Sequence, residues 1–281
     1  LRAVVATYLA AALPALVWAA GLWLALDKAL AHRPEALKLL GPGATSEWVE
    51  FSLSSSNHLA PLFALLPVFA VIAWLAQQLV AGGTVRVLLD EGLPVPTRRA
   101  FWSGMGRCFW RFVRAGMVFL VALIPVVLVI GGGFAGASAA ARAAGDERWR
   151  YGLGIVALLV AYVPFACAEL ANDLVRISAA DSGRGSMLRG FFRALGWVLR
   201  RGRRLVLLHV AFVLLLVAAQ AIYLLLRLPL SPTGYLGIVL LVLLQQALML
   251  GRAWFQVAFW ASEVRVYRAV GSPSWAGPAG W

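Results

Sequence analysis

The sequence predicts an all-α polytopic membrane protein: six transmembrane helices arranged as three tandem helix hairpins, with amphipathic helices at the membrane interface. Three observations predict it. Of the 281 residues, 62% are hydrophobic and 13% charged, with a mean hydropathy of +0.83, whereas soluble globular chains hold about 45–50% apolar and about 25% charged residues. The apolar residues collect in six runs of roughly 20 residues, the length that crosses about 30 Å of hydrocarbon. Short motifs also recur at a separation of 90 residues.

The runs lie at 3–27, 59–81, 115–137, 152–172, 205–227 and 235–261. Backbone inside lipid must bond to itself, so continuous runs such as Leu205 to Leu226 are helices. A barrel would instead show alternating segments of about ten residues. Pro14, Pro67, Pro125 and Pro164 sit inside the runs and predict local kinks. Gly131, Gly132, Gly133 and Gly136 predict close helix approach, and 12 tryptophans supply interface anchors. The six runs leave no room for a separate soluble catalytic domain.

Orientation follows from the loops. Segments 82–114 and 173–204 carry six and eight arginines, whereas 27–58 and 138–151 carry three basic residues each and 227–234 carries one. Short basic loops stay inside, so a bacterial cytoplasmic membrane location with both termini cytoplasmic is expected. The net charge of +13 then faces the inner leaflet.

The repeat appears when the chain is slid along itself. Val85-Arg86-Val87, Val175-Arg176-Ile177 and Val264-Arg265-Val266 recur at offsets of 90 and 89. At the offset of 90, Arg99, Phe101, Gly106, Arg111 and Arg114 match Arg189, Phe191, Gly196, Arg201 and Arg204. Units of about 1–90, 91–180 and 181–270 follow, within a single membrane domain over 1–281. The first and third runs align at offset 111, Pro14 on Pro125 and Gly21 on Gly132, which places 21 extra residues in the first outer loop. Segment 35–58, with Glu47, Trp48 and Glu50, is therefore read as an extracytoplasmic insertion and docking surface. The same register predicts a basic helix upstream of Leu1. Three hairpins of one topology place a pseudo-symmetry axis along the membrane normal, with a seam at its centre.

A basic amphipathic stretch precedes the second and third hairpins. Thr97 can cap a helix with Phe101, Trp102, Met105, Cys108, Phe109, Phe112 and Val113 on its apolar side; Ser186 begins its counterpart, with Leu188, Phe191, Phe192, Leu195 and Leu199. Such helices lie in the interface plane. The candidate contacts to anionic lipid headgroups are Arg86, Arg98, Arg99, Arg107 and Arg111 in the first stretch. In the later ones they are Arg189, Arg193, Arg200, Arg203 and Arg265. Simple anchoring and specific headgroup recognition both fit this pattern.

Ionisable residues within apolar runs default to functional candidates. Glu169, Asp173 and Arg176 fall at i, i+4 and i+7 on one helical face with Asn172 beside them, and Arg252 lies deep in the last run. An internal Asp173–Arg176 pair is one reading; a cation, proton or headgroup site is the other. Arg252, if inward, would pair with Glu169. Cys108 and Cys167 read as packing residues, and His32, His58 and His209 form no metal set, so no metal or cofactor is expected. Catalytic signatures and nucleic-acid patterns are absent, since the arginines are interleaved with apolar residues that belong in a membrane plane.

The run ending in Gly82-Gly83-Thr84-Val85-Arg86, then Gly92 and the Phe101-centred arginine-rich stretch, repeated through 173–204, resembles bacterial six-span membrane proteins of the YciC-like family. It is also similar to the membrane domain that accompanies some glycerophosphodiester phosphodiesterases. The resemblance implies six spans; it implies no phosphodiesterase activity, because the catalytic barrel is missing. The expected function is that of a non-enzymatic scaffold or accessory subunit whose partners are membrane lipids and other membrane protein subunits. The alternative is a transporter or lipid-translocating protein using the central seam.

Overall fold

The computed structural model describes residues 1–30, 56–90, 97–182, 186–230 and 235–269. Among them are eight α-helices and no strand: α1 (Arg2–Leu30), α2 (Ser56–Leu89), α3 (Thr97–Ala122), α4 (Ile124–Ala144), α5 (Arg148–Ser182), α6 (Met187–Arg201), α7 (Arg203–Arg227) and α8 (Tyr235–Ala269). Six stretches are long and apolar enough to cross a membrane, α3 and α4 together forming the third. Residues 31–55, which hold nearly all of the expected outer insertion at 35–58, lie outside the described residues.

Three helices run further than hydropathy predicts. The second, fourth and sixth runs were expected to end at 81, 172 and 261, but α2, α5 and α8 continue to Leu89, Ser182 and Ala269. These helices hold 34, 35 and 35 residues, about 50 Å at ~1.5 Å per residue. Some 20 Å of each therefore exceeds the ~30 Å of hydrocarbon.

The two basic stretches differ from each other. Around Phe191 the expected separate helix is present: α6 stops at Arg201, and the Gly202 N–H bonds back to the Val198 carbonyl. Around Phe101 the helix does not stop at Arg114 but runs on to Ala122. Its break falls at Leu123, just before Pro125 in the first turn of α4. Proline has no N–H to give and crowds the preceding turn, so the ladder is interrupted there and nowhere earlier. The residues facing inward in α3 are Ala100, Gly104, Cys108, Phe112, Ala115 and Gly116, while Trp102 and Trp110 are exposed. Helices α1 and α5 continue through Pro14 and Pro164.

The chain forms two compact units, Leu1–Val80 with Leu215–Gln256, and Ala81–Leu214 with Val257–Trp281. In the first unit few residues are buried, among them Val4, Thr7, Ala10 and Gln78. Its polar residues tie helices together: the Tyr8 hydroxyl of α1 donates to Gln246 Oε1 of α8.

The second unit holds the core. Its centre is the last half of α5, where Leu170, Ala171, Leu174, Val175 and Ile177 are buried. Around it pack Ala81 and Val85 of α2, Cys108 and Phe112 of α3, Phe191, Ala194 and Val198 of α6, Leu205 of α7, and Trp260 and Val264 of α8. Glycines set the closest approaches. A Cβ on Gly104 would lie 2.5 Å from Arg86 Cβ and 2.8 Å from the Gly82 carbonyl oxygen, so α2 and α3 touch backbone to backbone. Between α4 and α5, a Cβ on Gly133 would meet that of Ala157 at 2.3 Å, whereas Gly131, Gly132 and Gly136 face open space. Only one member of that expected glycine cluster is used. The turn between α4 and α5 is closed by Gly145 at φ +66°, a left-handed conformation that suits glycine. Asp146 Oδ1 then accepts the Arg148 N–H at 2.9 Å to start α5.

Val85, Val175 and Val264 of the recurring motif are all buried, whereas other matched positions differ: Phe191 is buried and Phe101 half-buried, and Arg201 is exposed where Arg111 is partly covered. Cys108 and Cys167 are both free thiols, Cys108 within the core.

Candidate functional site

Helix α5 brings Glu169, Asp173 and Arg176 onto one face because residues four and three apart are neighbours on a helix. The expected internal pair is present: Arg176 Nη1 donates to Asp173 Oδ1 at 3.1 Å. The Arg176 guanidinium also lies 5.8 Å from the centre of the Phe112 ring, a cation–π arrangement. Asp173 takes a second donor from another helix, the indole N–H of Trp260 on α8.

Helix α8 adds a residue that the sequence reading missed. Glu263 is 0% exposed, deeper than Asp173 at 6%. Neither of its carboxyl oxygens meets an N–H or O–H donor; what it faces at hydrogen-bonding approach is the carboxyl group of Asp173. The sixth apolar run ends at Ala261, two residues before Glu263, so hydropathy alone gives no sign that this side chain is buried. The repeat register could have found it, since Glu263 and Thr84 both directly precede the recurring Val-Arg pair, and both are wholly buried.

His209 of α7 is a further missed member. Buried itself, it places Nε2 3.9 Å from Glu169 Oε2, with its ring stacked on Tyr162 at 6.0 Å and edge-on to Phe259 at 5.4 Å. Glu169 is partly exposed. Asn172 is buried beside Asp173, with its Oδ1 lacking a donor. Arg252 belongs to the first unit, where its side chain is exposed; the group facing Glu169 is His209.

The structure also divides the arginines. Two of the expected headgroup contacts are engaged within the protein instead. Arg86 donates to Asp90 Oδ2 and to the Ala180 carbonyl, each at 3.1 Å, and Arg111 donates to the Ala179 carbonyl at 3.3 Å. Both carbonyls belong to the last turn of α5, where backbone acceptors have no partner further along the helix and cations are favoured. Arg268 caps α2 in the same way through the Leu89 carbonyl. Arg98, Arg99, Arg107, Arg189, Arg193, Arg200, Arg203 and Arg265 are exposed.

No protein-family model, curated protein or solved structure matches the chain. What the site can do follows from its residues. Three carboxyl groups share one guanidinium in a core otherwise filled by Phe112, Leu170, Leu174, Phe191 and Leu205. Buried charges persist only when paired and hydrogen-bonded, a condition that Asp173 meets through Arg176 and Trp260. Among the described residues no group of His, Cys, Asp and Glu could hold a metal ion.

Proposed function

We propose that this protein is a non-enzymatic scaffold or accessory subunit of the bacterial cytoplasmic membrane, organising anionic lipids or partner membrane proteins. The observation that carries the proposal is the surface of α6. One flank, Phe191, Ala194 and Val198, is packed into the core; the next, Leu188, Phe192 and Leu199, is exposed; beyond it runs an exposed stripe of Arg189, Arg193 and Arg200. That sequence of core, apolar and basic flanks fits a helix seated at the boundary of hydrocarbon and headgroups. Each arginine near an anionic leaflet contributes on the order of 1 kcal/mol. The shared burial of Val85, Val175 and Val264 at the recurring motif supports a threefold repeat, and the arginine-rich segments support cytoplasmic termini.

The test is lipid retention. Protein reconstituted in mixed anionic and zwitterionic lipid, re-extracted and measured by lipid mass spectrometry, should retain anionic lipid selectively. Changing Arg189, Arg193 and Arg200 to Gln together should lower that retention at least severalfold. Equal retention by the triple variant would overturn the reading.

The transporter alternative draws support from the Asp173–Glu263 pair, whose buried carboxyl groups could carry charge through a seam. Large apolar side chains fill the surroundings of that pair, which favours the scaffold. Proteoliposomes should therefore show no faster scrambling of a fluorescent phosphatidylcholine than empty vesicles. Scrambling that Asp173→Asn abolishes would favour the alternative.

A further inference from the structure

We propose that Asp173 and Glu263 bind a single proton between them, and that this shared proton fastens the end of α8 to α5. The inference stands apart from the scaffold reading. It begins with donors. Asp173 accepts from the guanidinium of Arg176 and from the indole of Trp260, whereas Glu263 accepts from neither a nitrogen nor a hydroxyl. Two ionised carboxylates have only acceptors, so a pair in hydrogen-bonding approach needs one O–H between them. Asp173, already served by two donors, is the ionised partner. Glu263 carries the proton and donates it to Asp173 as a charge-assisted O–H···O bond.

The surrounding groups support this assignment. On α5, Glu169 adds negative charge and Arg176 positive charge beside the pair. Other donors nearby do not serve Glu263: on α2 and α3, Arg86 and Arg111 hold the carbonyls of Ala180 and Ala179, on α7 His209 lies beside Glu169, and the buried Thr84 hydroxyl bonds to no partner. A third ionised carboxylate at 0% exposure would be opposed by Arg176 alone. Binding a proton removes that excess charge and creates the missing donor in one step.

Infrared spectroscopy of the full chain in lipid nanodiscs tests the assignment directly. Wild type at neutral pH should show the carbonyl stretch of a neutral carboxyl group, and Glu263→Gln should remove it. Absence of that band, or a band unchanged in Glu263→Gln, overturns the proposal. Thermal or denaturant unfolding gives a second readout. The folded pair holds a proton that the unfolded chain releases at neutral pH, so stability is full at mildly acidic pH and falls as pH rises. The folding constant should weaken about tenfold per pH unit through the titration of the pair. In Glu263→Gln the amide N–H replaces the proton as donor to Asp173, so the fold persists and this slope flattens. An unchanged slope, or a wild-type slope that depends on sodium concentration rather than on pH, overturns the proposal, the latter in favour of a metal cation.

Discussion

The two halves of α5 are built to opposite rules. From Arg148 to Phe165 the helix exposes its most apolar side chains, Ile155, Val156, Leu158, Leu159, Val160 and Val163. From Ala166 to Ala180 nearly every residue is buried, and these include Asn172, Asp173 and Ser178. Burial here runs opposite to hydrophobicity. Lipid tails are as apolar as leucine, so a hydrocarbon-facing half gains little by hiding its leucines. The other half runs from inside the apolar span into the overrun past residue 172, and neighbouring helices cover it.

That contrast predicts unequal responses to the same kind of substitution. The largest belongs to the buried ion pair: Asp173→Ala strands Arg176 and should cost about 3–5 kcal/mol, read as a lower unfolding midpoint in mixed micelles. Next, Leu174→Ala, which empties a fully packed site, should cost about 2–5 kcal/mol. Leu159→Ala, in the exposed half, should stay within about 0.5 kcal/mol, and equal losses in these two leucine variants would break the contrast. Between the two leucine variants falls a test of the α2–α3 contact. Gly104→Val should cost about 1–3 kcal/mol through overpacking, while Gly106→Ala, inside the same helix but facing open space, should raise the midpoint slightly, by about 0.5–1 kcal/mol of helix propensity.

What the sequence made legible, and what it did not, follows the same divide. The six apolar runs could be read because hydrocarbon imposes a length and a composition on any helix that crosses it. The Asp173–Arg176 pair could be read because both partners sit on one helix three residues apart. His209 could not, since it arrives from a helix about 36 residues further along the chain, and Glu263, about 90 residues on, could be read only through the repeat register, because no local spacing announces such a meeting. Nor could Arg86 and Arg111 be told from Arg98 and Arg99. An arginine on a basic helix looks alike whether it meets a headgroup or a carbonyl at another helix's end. The overrun of α2, α5 and α8 was hidden because hydropathy falls where neighbouring protein takes over from lipid.

The turn between α4 and α5 bears on how the chain is made. Only Gly145, Asp146 and Glu147 separate the two helices, and Gly133 is already pressed against Ala157 across them. With so little chain between them, the second helix is confined to the first one's flank from the moment it enters the bilayer, and an epitope tag or protease site spliced into this bend would relax that confinement rather than merely decorate the surface.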